Sequence, residues 1–181
     1  MGKSNAEIRR GTVLLILCLL AVSCSKSPAT NTETAGATAS NEPPRIASTD
    51  VVQATPQEAT LARGESGDVL VSLKIANGYH VNANPPSFSY LKPTELEIQP
   101  ADGIAVEFMR YPDPLTKKFS FADKPLAVYE GETTLTARLK VDNGVQTGKH
   151  NLLAKLRVQA CDDKVCYAPG ALDLKVPVNI K

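Results

Sequence analysis

Apolar and polar residues alternate along several short segments of this chain, and this period of two is the pattern of half-buried β-strands. In residues 69–75 every second side chain is apolar, with Ser72 and Lys74 between them. Further strands are predicted at residues 94–98, 104–108, 133–141, 152–160 and 172–180. Turn signals such as Asn77-Gly78 separate these segments. No window of helical length shows a convincing helical period, so the sequence predicts an all-β sandwich.

Residues 111–128 interrupt the alternation. Pro112, Pro114 and Pro125 argue against a helix or a central strand here, because proline lacks the backbone N–H that both structures use. Phe119 and Phe121 place two large apolar rings in this otherwise polar stretch. One interpretation, which the pattern leaves open, is that both rings simply pack on the domain core.

The N-terminus has the features of an export signal. Three basic residues lie among the first ten, and residues 12–22 form an apolar run. This run is shorter than the about 20 residues that a membrane-spanning helix needs. It ends in small residues before Cys24, which resembles a bacterial lipobox. The resemblance implies that residues 1–23 are a lipoprotein signal peptide and that Cys24 is lipidated. The alternative is an ordinary signal peptide in which Cys24 has no role.

Residues 24–48 are predicted to be a flexible tether. Their Ser, Thr, Ala, Asn and Pro residues cannot bury enough apolar surface to offset the entropy lost on folding. Such a tether reaches roughly 25–30 Å on average. Residues 49–181 would then form a folded periplasmic domain, held beside a membrane by the lipid anchor. Ser25, rather than Asp, follows the cysteine, and the resemblance to Gram-negative lipoprotein sorting patterns implies the outer membrane rather than the inner one.

The charge balance argues against one class of partner. The formal net charge is +1 and Lys and Arg do not cluster, whereas nucleic-acid-binding domains concentrate basic residues on one face. We therefore expect no nucleic-acid partner. Catalytic triads, phosphate-binding loops and paired acid–base carboxylates are not visible in the sequence, and we expect no cofactor.

Two cysteines carry the candidate chemistry. Of the four cysteines, Cys18 lies in the signal and Cys24 takes the lipid, so Cys161 and Cys166 remain in the mature domain. An exported chain lives where disulfides form, and the four residues between these cysteines suit a hairpin-like loop. Their disulfide is either a structural staple or a redox-active bond. So small a loop stabilises a fold by only about 2 kcal/mol, which favours the redox interpretation.

Strand parity predicts which cysteine a partner meets. If Val158 and Ala160 face the core, Cys161 shares the opposite face with Arg157 and Gln159. Cys161 is then expected off the core and is our preferred exposed sulfur. Within the loop, Lys164 would favour a thiolate, while the two aspartates would oppose it.

A metal site is the other chemical interpretation of these cysteines. Together with His80 or His150 they would make a partial zinc shell. The spacing lacks a second Cys/His pair of recognisable form, so we expect no metal. His80 and His150 are predicted to be ordinary surface or loop histidines.

Four segments, in order and in approximate spacing, resemble the N-terminal periplasmic domain of the thiol:disulfide interchange protein DsbD. They are residues 78–82 (GYHVN), 92–96 (KPTEL), 111–112 (YP) and 158–169 (VQACDDKVCYAP). The resemblance covers about residues 50–181, and its last segment is the most specific.

The resemblance implies an immunoglobulin-like β-sandwich that carries a reversible cysteine pair, onto which Cys161 and Cys166 map. In that family the pair takes electrons from a thioredoxin-like donor domain and passes them to periplasmic proteins such as disulfide isomerases or cytochrome-maturation factors. A mobile cap loop bearing an aromatic residue shields the pair. Its counterpart here is the loop at residues 115–128, with Phe121 or Phe119 as the cap residue, and Tyr79 matches a tyrosine near the pair.

The chain also departs from the family pattern. We expect neither a polytopic electron-carrying membrane region nor a C-terminal thioredoxin-like domain, and the two cysteines are closer in sequence than in the best-known member. We therefore expect a separate thioredoxin-like protein or membrane electron transporter to reduce it, and extracytoplasmic disulfide-containing proteins to accept its electrons. The competing hypothesis is a non-catalytic binding or scaffold lipoprotein with a structural disulfide.

Overall fold

The computed structural model describes residues 46–181, so the lipidation candidate Cys24 lies outside the described residues. Within them the chain forms twelve β-strands and one 3₁₀ turn at Ser48–Val51, with no α-helix. The strands are β1 Val52–Pro56, β2 Ala59–Leu61, β3 Ser66–Ile75, β4 His80–Asn82, β5 Glu95–Ile98, β6 Ile104–Arg110, β7 Leu115–Lys117, β8 Leu126–Tyr129, β9 Glu132–Val141, β10 Gly148–Val158, β11 Ala160–Cys161 and β12 Gly170–Ile180. The prediction of an all-β fold is confirmed. No helix in this described part is long and apolar enough to cross a membrane.

Two four-stranded sheets enclose the main core. Sheet 1 has the order β1-β3-β9-β6 and sheet 2 the order β2-β12-β10-β5. All neighbouring strands in them are antiparallel except β2 and β12. The predicted alternation accounts for the packing, because the apolar faces of β3, β9, β10 and β12 meet in one buried cluster. Val71, Leu135, Leu156 and Val176 are fully buried there.

A third, smaller sheet positions the candidate site. Its order is β11-β4-β8-β7. The chain enters it at Gln159: Val158 still pairs with Gly170 in sheet 2, whereas Ala160 pairs with Val81 in sheet 3. This sheet has its own apolar cluster, built around Phe119 and three aliphatic side chains.

The stretch at residues 111–128, predicted to be irregular, contains β7 and most of β8, and the prediction is wrong in this respect. The two strands pair antiparallel, with Leu115 opposite Val128. Pro114 and Pro125 each directly precede a strand, so neither has to donate a hydrogen bond within the ladder. We call residues 115–129 the aromatic hairpin, because its tip carries Phe119 and Phe121.

Candidate redox site

Cys161 and Cys166 face each other across a short β-hairpin and are joined by a disulfide. Their Cα atoms are 3.9 Å apart. Two backbone hydrogen bonds hold the hairpin together. The Tyr167 N–H donates to the Ala160 carbonyl at 2.8 Å, and the Asp162 N–H donates to the Val165 carbonyl at 2.9 Å. The hairpin-like loop expected from the spacing of the cysteines is therefore present.

The carboxylate of Asp162 shapes the loop between the cysteines. Its Oδ1 accepts hydrogen bonds from the N–H groups of Lys164 and Val165, at 2.7 and 2.8 Å. Its Oδ2 accepts a hydrogen bond from the Tyr167 hydroxyl at 2.6 Å. The bond from Tyr167, with those from the two N–H groups, lowers the pKa of Asp162. The same contact raises the pKa of Tyr167 to about 12. Asp162 is thus ionised at neutral pH and disfavours a second negative charge on the adjacent sulfurs.

The two cysteines differ in accessibility, in the opposite sense to the parity prediction. Cys161 is 0% exposed, whereas Cys166 is partly exposed. Cys161 lies outside the main core cluster, as parity predicts, but the expectation that it is the exposed sulfur is wrong, because the face that it occupies is covered too. Ala160 joins the main core, and Cys161, which faces the other way, is covered as well. Cys166 is therefore the more exposed cysteine of the pair.

His80, Cys161 and Cys166 form one row across three neighbouring chain segments. Cys161 is the antiparallel partner of His80 on one side and of Cys166 on the other. Directly opposed residues of an antiparallel pair point to the same face, with Cβ atoms about 4.5–5.5 Å apart. The imidazole therefore lies on the same face as the disulfide. His80 is only 1% exposed, so the prediction of a surface or loop histidine is wrong.

The tip of the aromatic hairpin covers this row. The Phe119 ring stacks on the His80 imidazole with ring centroids 4.1 Å apart. Phe121 stacks on Phe119 with centroids 5.4 Å apart. Phe119 is buried and Phe121 is 38% exposed, so they form an inner and an outer ring. The Ser120 hydroxyl donates to the Asp163 carbonyl at 3.0 Å and joins the hairpin tip to the cysteine loop.

Tyr79 is near the cysteine hairpin because its ring lies next to that of Tyr167, the residue that follows Cys166. Their ring centroids are 6.1 Å apart. Arg157, which the sequence predicted on the same strand face as Cys161, pairs with Glu97 at 3.0 Å and with Glu95 at 3.6 Å. These partners offset its charge, so Arg157 contributes little positive potential to the site.

Sequence reasoning missed Ser48, which holds both sides of the cysteine hairpin. Its hydroxyl donates to the Ala168 carbonyl at 2.6 Å and accepts from the Ala160 N–H at 2.9 Å. Ser48 is fully buried, although the sequence placed it at the end of the tether. No local signal marks this role, because its partners lie 112 and 120 residues away along the chain.

Gln159 is a second support that sequence reasoning did not single out. Its Oε1 accepts hydrogen bonds from the Asn82 side chain at 3.0 Å and from the Lys92 N–H at 2.9 Å. Its Nε2 donates to the Tyr167 carbonyl at 3.3 Å. One side chain thus connects β4, the segment before β5 and the cysteine hairpin. The sequence did contain a hint of this role, because Gln159 is a polar side chain directly before Ala160 and Cys161, at the end of a predicted strand.

The described residues offer no obvious metal centre. Within residues 46–181, no three His, Cys, Asp or Glu side chains group closely enough to hold an ion. His150 is engaged elsewhere, where its Nε2 donates to the Gln146 carbonyl at 2.8 Å.

The fold and the site define a class of protein: a β-sandwich domain with an inter-strand disulfide, one cysteine of which is partly exposed, beside an aromatic hairpin. A family model described as thiol:disulfide interchange protein DsbD, N-terminal, matches residues 49–176. The chain therefore belongs to the DsbD N-terminal family of thiol–disulfide exchange domains. The predicted immunoglobulin-like β-sandwich is confirmed.

Two solved structures are similar to the chain. One is the N-terminal periplasmic domain of ScsB from Proteus mirabilis, with a TM-score of 0.49 and 18% identity, covering 71% of this chain and 49% of that chain. The other is a family 123 glycoside hydrolase from Clostridium perfringens, with a TM-score of 0.32 and 8% identity, covering 72% and 27% of the two chains. The present chain thus spans about half the length of the ScsB chain. No curated protein sequence matches it.

Proposed function

We propose that the domain is a thiol–disulfide electron carrier in which Cys161 and Cys166 cycle between disulfide and dithiol. Its partners are a thioredoxin-like donor or a membrane electron transporter on one side, and extracytoplasmic disulfide-containing proteins on the other. One observation supports this most strongly: the partly exposed Cys166 is bonded to a fully buried Cys161. One accessible and one shielded sulfur suit exchange, whereas closure of so small a loop adds only about 2 kcal/mol as a staple.

Exchange proceeds through a mixed disulfide. A donor thiolate attacks Sγ of Cys166, the Cys161–Cys166 bond breaks, and its electron pair leaves on Cys161. The donor's second thiolate then attacks the donor sulfur in the mixed disulfide and releases Cys166. The donor leaves as a disulfide, and the two cysteines take up the two protons that the donor thiols lost. The reverse sequence reduces an acceptor disulfide, with Cys166 as the attacking thiolate and Cys161 as the resolving thiol.

In this proposal the aromatic hairpin is the cap of the redox pair. Phe121 is the outer and more exposed ring, so a docking partner meets it first, and Phe119 beneath it covers the row that contains Cys161. The Ser120–Asp163 hydrogen bond is the contact that opening must break. Tyr79 and Tyr167 flank the cysteine loop and help to keep its shape when the cap moves.

We further propose that residues 1–23 are removed and that Cys24 carries the lipid. Residues 24–47 then tether the domain in the periplasm, at the outer membrane; the predicted boundary moves by one residue because Ser48 is buried in the domain. The support is the apolar run that ends in small residues before Cys24. Labelling of the full chain with a radioactive fatty acid tests it: Cys24→Ser should abolish the label, and Cys18→Ser should leave it unchanged.

Trapping of mixed disulfides with the full chain tests the redox function. Cys161→Ser leaves the accessible Cys166 without a resolving thiol, so it should accumulate covalent complexes with a thioredoxin-like protein, identified by mass spectrometry. Cys166→Ser is the matched control and should accumulate far fewer. If neither variant forms such complexes while a double Cys→Ser variant still binds its partners, the scaffold hypothesis holds instead.

A further inference from the structure

We propose that His80 carries the proton of the buried Cys161 sulfur during exchange, as acceptor in one direction and donor in the other. This inference rests on the proposed redox function, because it concerns the same cysteine pair. It assigns a catalytic role to a residue that was expected to have none.

The first support is geometric. His80 and Cys161 are directly opposed in the β4–β11 pair, so their side chains share a face at a Cβ separation of about 4.5–5.5 Å. Both side chains are buried, at 1% and 0% exposure. The Phe119 ring fixes the orientation of the imidazole by stacking on it. The imidazole and the buried sulfur thus lie on the same face of neighbouring strands.

The second support is an unpaired polar atom. The Nε2 atom of His80 is buried and has no hydrogen-bond partner, which is uncommon because an unpaired buried polar group costs free energy. In the oxidised pair Cys161 has no proton to donate. After reduction its S–H becomes a donor on the same face, which can satisfy the Nε2 lone pair. In the oxidised site, Nε2 of His80 is therefore an acceptor without a donor, and reduction of Cys161 supplies an S–H that can donate to it.

The charges around the imidazole agree with this role. Burial lowers the pKa of His80 below its usual 6.5. Glu130, which directly follows β8, and Asp163 and Asp162 in the cysteine loop raise the pKa, and Lys117 on β7 lowers it, all by less than burial does. Lys117 and Glu130 pair with each other at 2.6 Å, so their effects partly cancel. At neutral pH the imidazole is therefore uncharged and has a free lone pair.

The step balances in both directions. When an acceptor is released, Cys161 attacks Sγ of Cys166 in the mixed disulfide and its proton moves to Nε2 of His80. The partner's sulfur leaves with the electron pair of the broken bond. When a donor thiolate instead attacks Cys166, the electron pair of the internal disulfide goes to Cys161. The imidazole takes up the proton that the donor thiol lost and passes it to that sulfur. A base is needed because burial, together with the negative charge of Asp162, disfavours a free thiolate at Cys161.

The test follows the resolving step in the full chain with the coloured reagent dithionitrobenzoate. Reduced Cys166 attacks the reagent and releases one coloured thiolate. Cys161 then attacks the resulting mixed disulfide and releases a second. The rate of this second release should rise with pH through the His80 titration below 6.5 and level off by neutral pH. In His80→Phe, which keeps an aromatic ring against Phe119, it should fall about a hundredfold at neutral pH.

The variant should also change the shape of the pH profile. Without the base, the second release should keep rising towards the ordinary thiol pKa of about 8.5. His80→Gln should behave in the same way if His80→Phe does not fold. His150→Phe is the matched control and should match the wild type, since His150 lies roughly 26 Å along β10 from Val158 at about 3.3 Å per residue.

Two results separate the inference from the function on which it rests. Equal second-release rates and profiles in the wild type and both His80 variants would overturn the role of His80 alone, while trapped partner complexes still supported electron transfer. A wild-type profile that rises only near the thiol pKa would overturn it as well. A wild-type pair that releases no second thiolate would overturn both proposals.

Discussion

The ring of Phe119 stacks on the imidazole of His80, with centroids 4.1 Å apart, and His80 is the strand partner of Cys161. This contact connects the aromatic hairpin to the redox pair through one side chain. It also ranks the two cap candidates, because Phe119 stacks on the imidazole itself whereas Phe121 stacks on Phe119.

The inner ring should therefore control reactivity more than the outer ring. Phe119→Ala should speed the reaction of the reduced cysteines with a small alkylating agent, and Phe121→Ala should speed it less. Because Phe119 is buried, its truncation should also lower the free energy of unfolding by about 3 kcal/mol. Phe108→Ala, which truncates an exposed ring on β6, is the control. Unchanged alkylation rates for both hairpin variants would remove the cap from the mechanism.

Ser48 should contribute to stability out of proportion to its size. Ser48→Ala leaves the buried Ala160 N–H and the Ala168 carbonyl without their partner, which should cost about 1–3 kcal/mol in the free energy of unfolding. Urea denaturation measures this, and hydrogen exchange should show faster opening at the Ala160 amide. Ser72→Ala, at a half-exposed side chain, should change stability by less than about 0.5 kcal/mol. Equal effects of the two substitutions would contradict the bridging role.

The hydrogen bond between Tyr167 and Asp162 should be visible in a spectroscopic titration. Absorbance of tyrosinate should show one component near pH 12, which is where the contact places the pKa of Tyr167. Tyr167→Phe should remove this component. Asp162→Asn removes the carboxylate and should move the component down towards the ordinary value of 10.0. Survival of the component in Tyr167→Phe would show that another tyrosine is responsible.

His80 should make the fold sensitive to mild acid. The folded state lowers its pKa, so the unfolded chain binds more protons in the window between the folded pKa and 6.5. Stability is then fully present above 6.5 and is lost as the pH falls through that window. His80→Phe should flatten this part of a pH series of urea denaturation curves. The lowered pKa of Asp162 causes a separate loss below 3.8, which His80→Phe should leave in place.

Local patterns in the sequence were enough to predict the sandwich. The alternation that placed Val71 and Leu156 in the core follows directly from burial of one strand face. Parity correctly separated Ala160 from Cys161, but the exposure expected for Cys161 was wrong, because the chain crosses at Gln159 into a third sheet in which both faces are covered there. The burial of His80 depends on the aromatic hairpin about 40 residues later, and such long-range contacts leave no local signal.

The reduction potential of the Cys161–Cys166 pair tests the central claim most directly. The full chain is equilibrated in buffers of defined thiol/disulfide ratio, and the oxidised fraction is read by mass spectrometry after rapid alkylation. An exchange pair should titrate reversibly at a potential above about −300 mV, within reach of thioredoxin-like partners. A potential well below about −300 mV would mark a structural bond and contradict the electron-carrier function.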